Sequence, residues 1–201
     1  LEPRPPRGPI EARVAPLAER GTARLRRELA TLGWQETIGY SFVAEALERD
    51  LSGDADPIRV LNPISAERSV MRSTLVPSLV EVLRANAARQ STRLFAFEIG
   101  RVFRRDRSVV DGDRTVAGVD QPMRVGGIAW GGASAMQWGV PARPVDFHDV
   151  KGDLETLFAP GRLACVAEPH PALHPGRAAR IEIDGVPAGF LGELHPRWVQ
   201  R

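Results

Sequence analysis

Two groups of side chains have the types and spacing that could support chemistry. The first lies in the stretch 145–158, where four charged residues fall within seven positions: Asp149, Lys151, Asp153 and Glu155. Such a set could act as an acid–base cluster, but acidic groups are also favoured at the N-terminus of a helix. The apolar residues of this stretch have helical spacing. We therefore interpret the four as helix-capping and solvated residues, with Asp149 as the cap.

The second group is the histidine pair His170 and His174, which has the i, i+4 spacing of two zinc ligands on a helix. A proline follows each histidine directly, which prevents a helix there, and no glutamate lies between them to act as a general base. Cys165 and His195 do not complete a recognisable metal site. The sequence therefore predicts no metal ligand and no catalytic group among these residues.

Composition sets broad limits on the class of protein. The 201 residues are 43% hydrophobic and 26% charged, with a formal net charge of +2, which is ordinary for a globular domain. A single cysteine excludes an internal disulfide and fits a reducing, cytoplasmic location. No apolar run approaches the 18 or so residues of a membrane span. We expect no membrane association.

Periodicity and turn residues predict alternating helices and strands. In chain order, the predicted elements are a helix at 22–32, a strand at 35–43, a helix at 43–51, a strand at 58–61, a helix at 75–90, a strand at 94–103, a loop at 106–123, a strand at 124–130, a helix at 145–158, strands at 178–184 and 186–194, and a helix from 197. Thr22 is the expected cap of the first helix, and Asp184-Gly185 the turn between the last two strands.

Apolar residues fall on one face of several predicted elements. The first helix has an apolar stripe, formed by Leu25, Leu29 and Leu32. In the strand 35–43 the apolar face consists of Ile38, Tyr40 and Phe42, with smaller residues on the other side. In the helix 75–90, Leu79 and Leu83 are expected in the core.

Seven short segments of the sequence resemble, in their order and spacing, the synthetase-like core of the β subunit of bacterial phenylalanyl-tRNA synthetase. They are LGWQETIGYSFV, NPIS, MRSTL, FEIGRVF, DFHDVKGDLE, LHPG and FLGELHP. Together they extend the resemblance over nearly the whole chain. It implies an α+β fold, with an antiparallel sheet and helices on one face, as in the catalytic core of a class II synthetase. We expect residues 1–11 to be a proline-rich linker and residues 12–201 the module, incomplete at its C-terminal end.

The resemblance also implies a place for the subunit interface. The helix 22–32 and the strand after it correspond to motif 1 of class II synthetases, which builds such interfaces, although this strand lacks the usual proline. The candidate interface residues lie beside the apolar stripe: Arg24, Arg27, Glu28 and Thr31. The alternative is that the helix only packs on its own domain, because apolar stripes usually face the core.

The run Phe103-Arg104-Arg105-Asp106 resembles motif 2, whose arginine holds the ATP α-phosphate. A forked cation suits the charge that develops on that phosphate during adenylation. Arg104 and Asp106 are therefore candidates, although in an arginine-rich chain a four-residue match is more often a solvated strand end. The set of synthetase motifs is incomplete, so we expect this chain alone to be non-catalytic, with no cofactor of its own.

The resemblance implies a structural and assembly role within a larger enzyme. That enzyme joins phenylalanine to its tRNA with ATP and Mg²⁺, and it pairs this subunit with an α subunit in an α2β2 heterotetramer. Two alternatives stay open: a free-standing adenylating enzyme, or an RNA-binding module. The second would need a clustered basic and aromatic surface, whereas the arginines here are scattered along the chain.

Overall fold

A computed structural model of the chain describes residues 21–113 and 115–199. The predicted linker at 1–11, and positions 12–20 of the predicted module, lie outside the described residues. The helices are α1 (Thr22–Thr31), α2 (Glu45–Ser52), α3 (Val76–Ala88), α4 (Phe147–Phe158) and α5 (Pro196–Val199). The strands are β1 (Gln35–Glu36), β2 (Phe42–Val43), β3 (Val70–Met71), β4 (Arg93–Arg101), β5 (Arg104–Arg105), β6 (Val119–Asp120), β7 (Met123–Gly131), β8 (Leu163–Ala167), β9 (Leu173–Ile183) and β10 (Val186–Leu194).

Within the described residues the strands form two three-stranded sheets and two short ribbons. The first sheet has the order β1-β4-β7, with β1 parallel to β4 and β7 antiparallel to it. The second has the order β10-β9-β8 and is antiparallel throughout. The ribbons pair β2 with β3 and β5 with β6. The α+β class is thus confirmed, while the single antiparallel sheet is divided into these smaller pieces.

Strand β4 is buried on both faces of its sheet. On one face, Phe97 packs with Leu29 of α1 and Leu157 of α4. On the other face, α3 approaches so closely that a Cβ at Gly126 of β7 would lie 3.2 Å from a methyl carbon of Leu79. Burial on both sides explains the nearly continuous apolar run of β4. Helices therefore cover both faces, and the expectation of helices on one face is wrong.

The helix α3 confirms one predicted core residue but not the other. Leu79 is buried, whereas Leu83 is only half-buried. The fully buried residues lie in the first turn and a half, at Pro77, Ser78, Leu79 and Val80. Residues 81–88 of the helix are half-buried or exposed.

Both predicted helix caps shift by one or more residues. Gly21 is the N-cap of α1 without a side-chain bond, so Thr22 is the first helical residue. Asp146 caps α4, where its carboxylate accepts hydrogen bonds from the backbone N–H groups of His148 and Asp149. The Asp149 carboxylate accepts in turn from the N–H of Asp146 at 3.0 Å. Asp149 thus completes a capping box as its third residue rather than acting as the cap.

The predicted strand at 35–43 is paired only at its two ends, as β1 and β2. Between them Ile38 and Tyr40 are exposed, so these two apolar side chains point outward. The small and polar residues form the inner face: the Thr37 hydroxyl donates to a backbone carbonyl of β4, and Gly39 lies against a buried carboxylate of β4. The predicted alternation is thus present at residues 37–40, with the apolar residues on the outer side.

Other differences concern short elements. A single bridge between Arg59 and Val70 replaces the predicted strand at 58–61. No element was predicted where β8 lies, and β9 begins five residues before the predicted strand at 178–184. The turn at Asp184-Gly185 is confirmed, with φ values of +52° and +80° that suit a two-residue hairpin.

Candidate functional site

Arg104, the motif-2-like arginine, lies in β5 at a cavity of about 430 Å³. Its Nε donates to the backbone carbonyl of Ser73 at 3.3 Å. The neighbouring Arg105 pairs with Asp56 at 2.9 Å. The cavity is lined by Ser52, Gly53, Asp54, Asp56, Ser73, Arg104 and Arg105. The wall thus combines two arginines with two carboxylates, and the carboxylates disfavour a triphosphate.

Asp106, the other motif-2-like candidate, stabilises a local turn. Its Oδ1 accepts hydrogen bonds from the backbone N–H and the hydroxyl of Ser108, at 2.8 and 2.6 Å. These bonds hold the pKa of Asp106 below its usual value. The backbone N–H of Asp106 donates to the carbonyl of Gly118. Arg104 and Asp106 are thus close in sequence but contact different parts of the fold.

Ser73 also binds a buried carboxylate that the sequence analysis missed. Oε1 of Glu48 accepts from the backbone N–H of Ser73 at 2.8 Å and from its hydroxyl at 2.5 Å. Oε2 is buried with no hydrogen-bond partner among the described residues. Burial raises the pKa of Glu48, and the Ser73 bonds oppose that rise. Glu48 lies beside Leu47 and Leu51 on the apolar side of α2. This position in the sequence could have indicated that its carboxylate is buried.

The ion pair between Arg72 and Glu98 is also deeply buried, and it too was missed from the sequence. Arg72 Nη1 lies 2.7 Å from Glu98 Oε1, and the two residues are 2% and 3% exposed. Arg72 also donates to the carbonyls of Tyr40 and Arg101, at 3.3 and 3.1 Å, and to the hydroxyl of Ser78 at 3.2 Å. The pair therefore links the segment before β2, the start of α3 and strand β4.

Two glycines make room for this ion pair. A Cβ at Gly100 would lie 2.2 Å from Nη2 of Arg72, and one at Gly39 would lie 3.0 Å from Oε2 of Glu98. The sequence carried a partial signal, because Glu98 interrupts the apolar run LFAFEIG. A charge within a strand that is buried on both faces needs a partner.

The charged residues after position 145 are not gathered into one site. Arg143 makes two hydrogen bonds of 2.6 Å to the carboxylate of Asp149, which lowers the pKa of Asp149 to about 2. Lys151 pairs with Glu155 at 2.5 Å. Asp153 accepts a hydrogen bond from the indole N–H of Trp34, in the loop between α1 and β1. Asp149, Lys151 and Glu155 thus make contacts on the surface of α4, whereas Asp153 joins α4 to the loop before β1.

The histidines are likewise engaged in local structure. Nδ1 of His170, His174 and His195 accepts a hydrogen bond from the backbone N–H two residues later in each case. The rings of His174 and His195 stack with centroids 6.2 Å apart. Among the described residues, no three His, Cys, Asp or Glu side chains are arranged to hold a metal ion.

The outer face of α1 carries the candidate interface residues. The apolar stripe packs into the domain's own core, through Leu25, Leu29 and Leu32. On the outer face, Arg24 pairs with Glu28 at 2.5 Å, and the hydroxyl of Thr31 donates to the carbonyl of Arg27 at 2.9 Å. This face is polar and its contacts lie within the helix.

A larger groove of about 1230 Å³ opens beside α3, between β7 and β10. Apolar side chains dominate its wall, among them Leu79, Leu83, Ile128, Trp130, Phe190 and Trp198. Each of the two strands has a single neighbour among the described strands. The groove therefore accounts for the partial exposure of Leu83. In the described part of the chain, no helix combines the length and the apolar character needed to cross a bilayer.

Comparison with a solved structure agrees with this architecture. The chain is similar to the pyrrolysyl-tRNA synthetase of Desulfitobacterium hafniense, with a TM-score of 0.50 over 82% of this chain and 54% of that one. The two are 11% identical in sequence, so the similarity shows the fold alone. That fold is the class II synthetase-like core.

Sequence comparisons identify the family. A model of the phenylalanyl-tRNA synthetase β-chain CLM domain matches residues 1–201. The phenylalanine–tRNA ligase β subunit of Bordetella pertussis is 51% identical over 98% of this chain and 25% of its own length. That of Cupriavidus pinatubonensis is 50% identical over 98% and 24%. The chain spans about a quarter of the length of these relatives, and it belongs to the phenylalanyl-tRNA synthetase β-chain CLM domain family.

Proposed function

We propose that this chain is the assembly module of a phenylalanine–tRNA ligase β subunit. The complete enzyme joins phenylalanine to its tRNA in the cytoplasm, using ATP and Mg²⁺, and contains an α subunit in an α2β2 heterotetramer. The module contributes a shaped surface to that enzyme and does not itself form the aminoacyl adenylate. The names of its relatives support its membership in a phenylalanine–tRNA ligase. The contacts of its polar residues support the assembly role.

One observation carries the assembly role. The polar side chains at the centre of the fold bind other parts of the fold instead of lining an open site. Arg72 contacts four acceptors and Glu98 is its buried partner. Glu48 is occupied by Ser73 in the same way. Buried polar groups of this kind fix the relative positions of segments, which suits a module that presents a surface.

The two alternative functions have less support. A free-standing adenylating enzyme needs a site for ATP, and the carboxylate-lined cavity at Arg104 opposes one. An RNA-binding module needs unpaired cations on one face. Here many arginines are already paired with carboxylates, including Arg24, Arg59, Arg68 and Arg143.

We propose that the outer face of α1 forms the polar rim of the subunit contact. Arg24, Arg27, Glu28 and Thr31 are arranged along it. Interfaces commonly place paired charges at such a rim, where each contributes little.

Phenylalanine-dependent ATP–pyrophosphate exchange tests the non-catalytic role. We expect no exchange by the 201-residue chain alone, and unchanged exchange by the α–β enzyme when its β subunit carries Arg104→Ala. Arg105→Ala is the matched control, because it removes the adjacent arginine of the same cavity. Exchange by the chain alone that disappears in Arg104→Ala would show that motif 2 is functional here and refute the proposal.

A further inference from the structure

Strand β8 forms one edge of the second sheet, and among the described strands it pairs with β9 alone. Its sequence is LACVA, which contains neither a charged residue nor a proline. The ladder with β9 is regular from Leu163 to Ala167, so no bulge turns this edge aside. Exposed edges are normally protected by a charge, a proline or a bulge, because they can otherwise pair with another strand. The five residues of β8 have none of these protections.

The opposite edge of the same sheet is protected. β10 contains Pro187, and its ladder with β9 shifts register between Pro187 and Gly189 and again between Gly192 and Leu194. Proline lacks an N–H group, and a bulge bends and twists the strand that carries it. The sheet therefore has one edge that resists pairing and one that permits it.

The backbone groups of β8 alternate between the ladder and the open edge. The carbonyl of Arg162 accepts from the N–H of Asp184, and the N–H of Glu168 donates to the carbonyl of Ala178, at 3.0 and 3.4 Å. The even-numbered residues between them therefore also bond to β9, because the groups alternate along an antiparallel strand. The groups directed to the open edge are those of the odd-numbered residues, Leu163, Cys165 and Ala167.

This set of outward groups is complementary to a second copy of itself. In an antiparallel pair with a two-fold axis at Cys165, the outward groups of Cys165 meet their equivalents, and those of Leu163 meet those of Ala167. The flanking charges match as well, because Arg162 of each copy then faces Glu168 of the other. Arg162 is exposed and Glu168 is half-buried, so both can reach a neighbour. Glu168 already pairs with Arg180 through Oε2, and a carboxylate can accept from a second arginine.

Neighbouring positions of the axis are less favourable. An axis at Ala164 places Arg162 opposite Val166, so the charge pair is lost. An axis at Val166 brings Pro169 opposite Leu163, and proline cannot donate the required hydrogen bond. The axis at Cys165 is therefore the one that satisfies both the backbone groups and the charges.

We infer that β8 is a self-association edge, at which two copies of this chain pair antiparallel about Cys165 to form one continuous sheet. A second copy is the occupant because the outward backbone groups and the flanking charges are both self-complementary about that residue. This inference goes beyond the proposed function and does not depend on it, since the edge belongs to the chain itself. Pairing of five-residue strands buries little surface, so the dimer is weak and forms at high chain concentration.

Sedimentation of the 201-residue chain over a range of concentrations tests the inference. The variants are Arg162→Glu and Glu168→Arg, each studied alone and then mixed in equal amounts. Alone, each variant places like charges opposite each other at both ends of the paired strands. In the mixture, a dimer with one copy of each variant regains both opposite-charge pairs. Arg107→Glu is the matched control, because it makes the same charge change at an exposed turn outside β8.

We expect each variant alone to dimerise about tenfold more weakly than the wild type, because two attractive contacts become repulsive. The mixture should recover the wild-type association, and the control should behave like the wild type. Circular dichroism verifies that each variant is folded. A wild-type chain that stays monomeric up to about 1 mM overturns the inference. So does self-association that either variant leaves unchanged, or that mixing fails to restore.

Engineered cysteines test the position of the axis separately. With the axis at Cys165, Ala164 of one copy faces Val166 of the other at a pair without inter-strand hydrogen bonds, where side chains lie closest. In a Cys165→Ser background, chains with Ala164→Cys and chains with Val166→Cys should therefore form a mixed disulfide on mild oxidation. Each variant alone should crosslink much less. Preferential crosslinking of either variant with itself places the axis elsewhere and overturns the proposed pairing.

Discussion

The buried pair of Arg72 and Glu98 provides a prediction that can be worked through quantitatively. Removing one partner of a buried ion pair leaves an uncompensated charge and typically costs about 3–5 kcal/mol. Arg72→Met leaves Glu98 in that state, and it also removes the donor to the carbonyls of Tyr40 and Arg101. These two hydrogen bonds are part-buried, so the loss of each adds about 0.5–1.5 kcal/mol. We therefore expect Arg72→Met to lower the free energy of unfolding by about 5 kcal/mol or more.

The double replacement Arg72→Met with Glu98→Leu separates these contributions. It removes both charges, so the penalty of the unpaired carboxylate disappears while the two orphaned carbonyls remain. We expect the double variant to be more stable than Arg72→Met alone by about 2–3 kcal/mol, a coupling within the range measured for contacting residues. Single domains are stable by only about 5–15 kcal/mol, so the single variant should be close to unfolded at room temperature.

The glycines provide an independent check of the same geometry. Gly100→Ala places a Cβ 2.2 Å from Nη2 of Arg72, and four hydrogen bonds prevent that guanidinium from moving aside. We expect Gly100→Ala to destabilise the wild type and to have little effect when Arg72 is already methionine. Gly189→Ala is a matched control, since a Cβ added at Gly189 would meet no other group of the described chain within 4 Å.

Urea unfolding of the 201-residue chain, followed by tryptophan fluorescence and circular dichroism, measures these free energies. A cost below about 1 kcal/mol for Arg72→Met would mean that Glu98 is solvated, since exposed pairs are worth that much or less. Strictly additive effects of Arg72→Met and Glu98→Leu would refute the direct pairing. Either result would contradict the reasoning from burial and distance.

Two further predictions concern α3 and α4. Leu79→Ala should cost about 2–5 kcal/mol in the same urea assay, because it opens a cavity in the core; Leu83→Ala, on the half-buried position of the groove, should cost clearly less, and equal costs would contradict the difference in burial along α3 described above. Asp149, whose pKa is about 2 in the folded chain, stabilises α4 fully above pH 4 and progressively less as pH falls from about 4 to 2, because its depressed pKa links protonation to unfolding. Asp149→Asn should flatten the pH dependence of the melting temperature in that interval, with Asp111→Asn as an exposed control, and an unchanged profile would mean that Arg143 does not hold Asp149 in solution.

The sequence predicted correctly those elements that have a strong local pattern of apolar or turn residues. The helix α3, the strand β4 and the hairpin turn at Asp184-Gly185 were all placed correctly, since each has a strong signal within a few residues. The caps of α1 and α4 lie one and three residues before the predicted positions, at Gly21 and Asp146. Boundaries of this kind depend on the geometry of the incoming chain.

The segment 35–43 shows what local patterns cannot supply. Its alternation was visible, and the usual rule assigns the larger apolar face to the core. The reverse holds because Glu98, about sixty positions later in the chain, occupies the inner side at Gly39. Contacts between residues so far apart are set by the tertiary fold. The same limit applies to Ser73, which joins Glu48 and Arg104 from distant elements.

The sequence segments that carry the family resemblance contain the buried polar residues described above. Their contacts indicate which structural features these segments determine. MRSTL supplies Arg72 and Ser73, and FEIGRVF supplies Glu98 and Gly100. None of the charged side chains among them is presented to an open site; they connect the segment before β2, α3 and β4 to one another. The same segments therefore determine how these elements lie relative to one another. Because Gly39 packs against Glu98 on the inner side, they also determine which apolar residues are exposed. Among the described residues, Arg72 thus binds two backbone carbonyls, those of Tyr40 and Arg101, besides the carboxylate of Glu98.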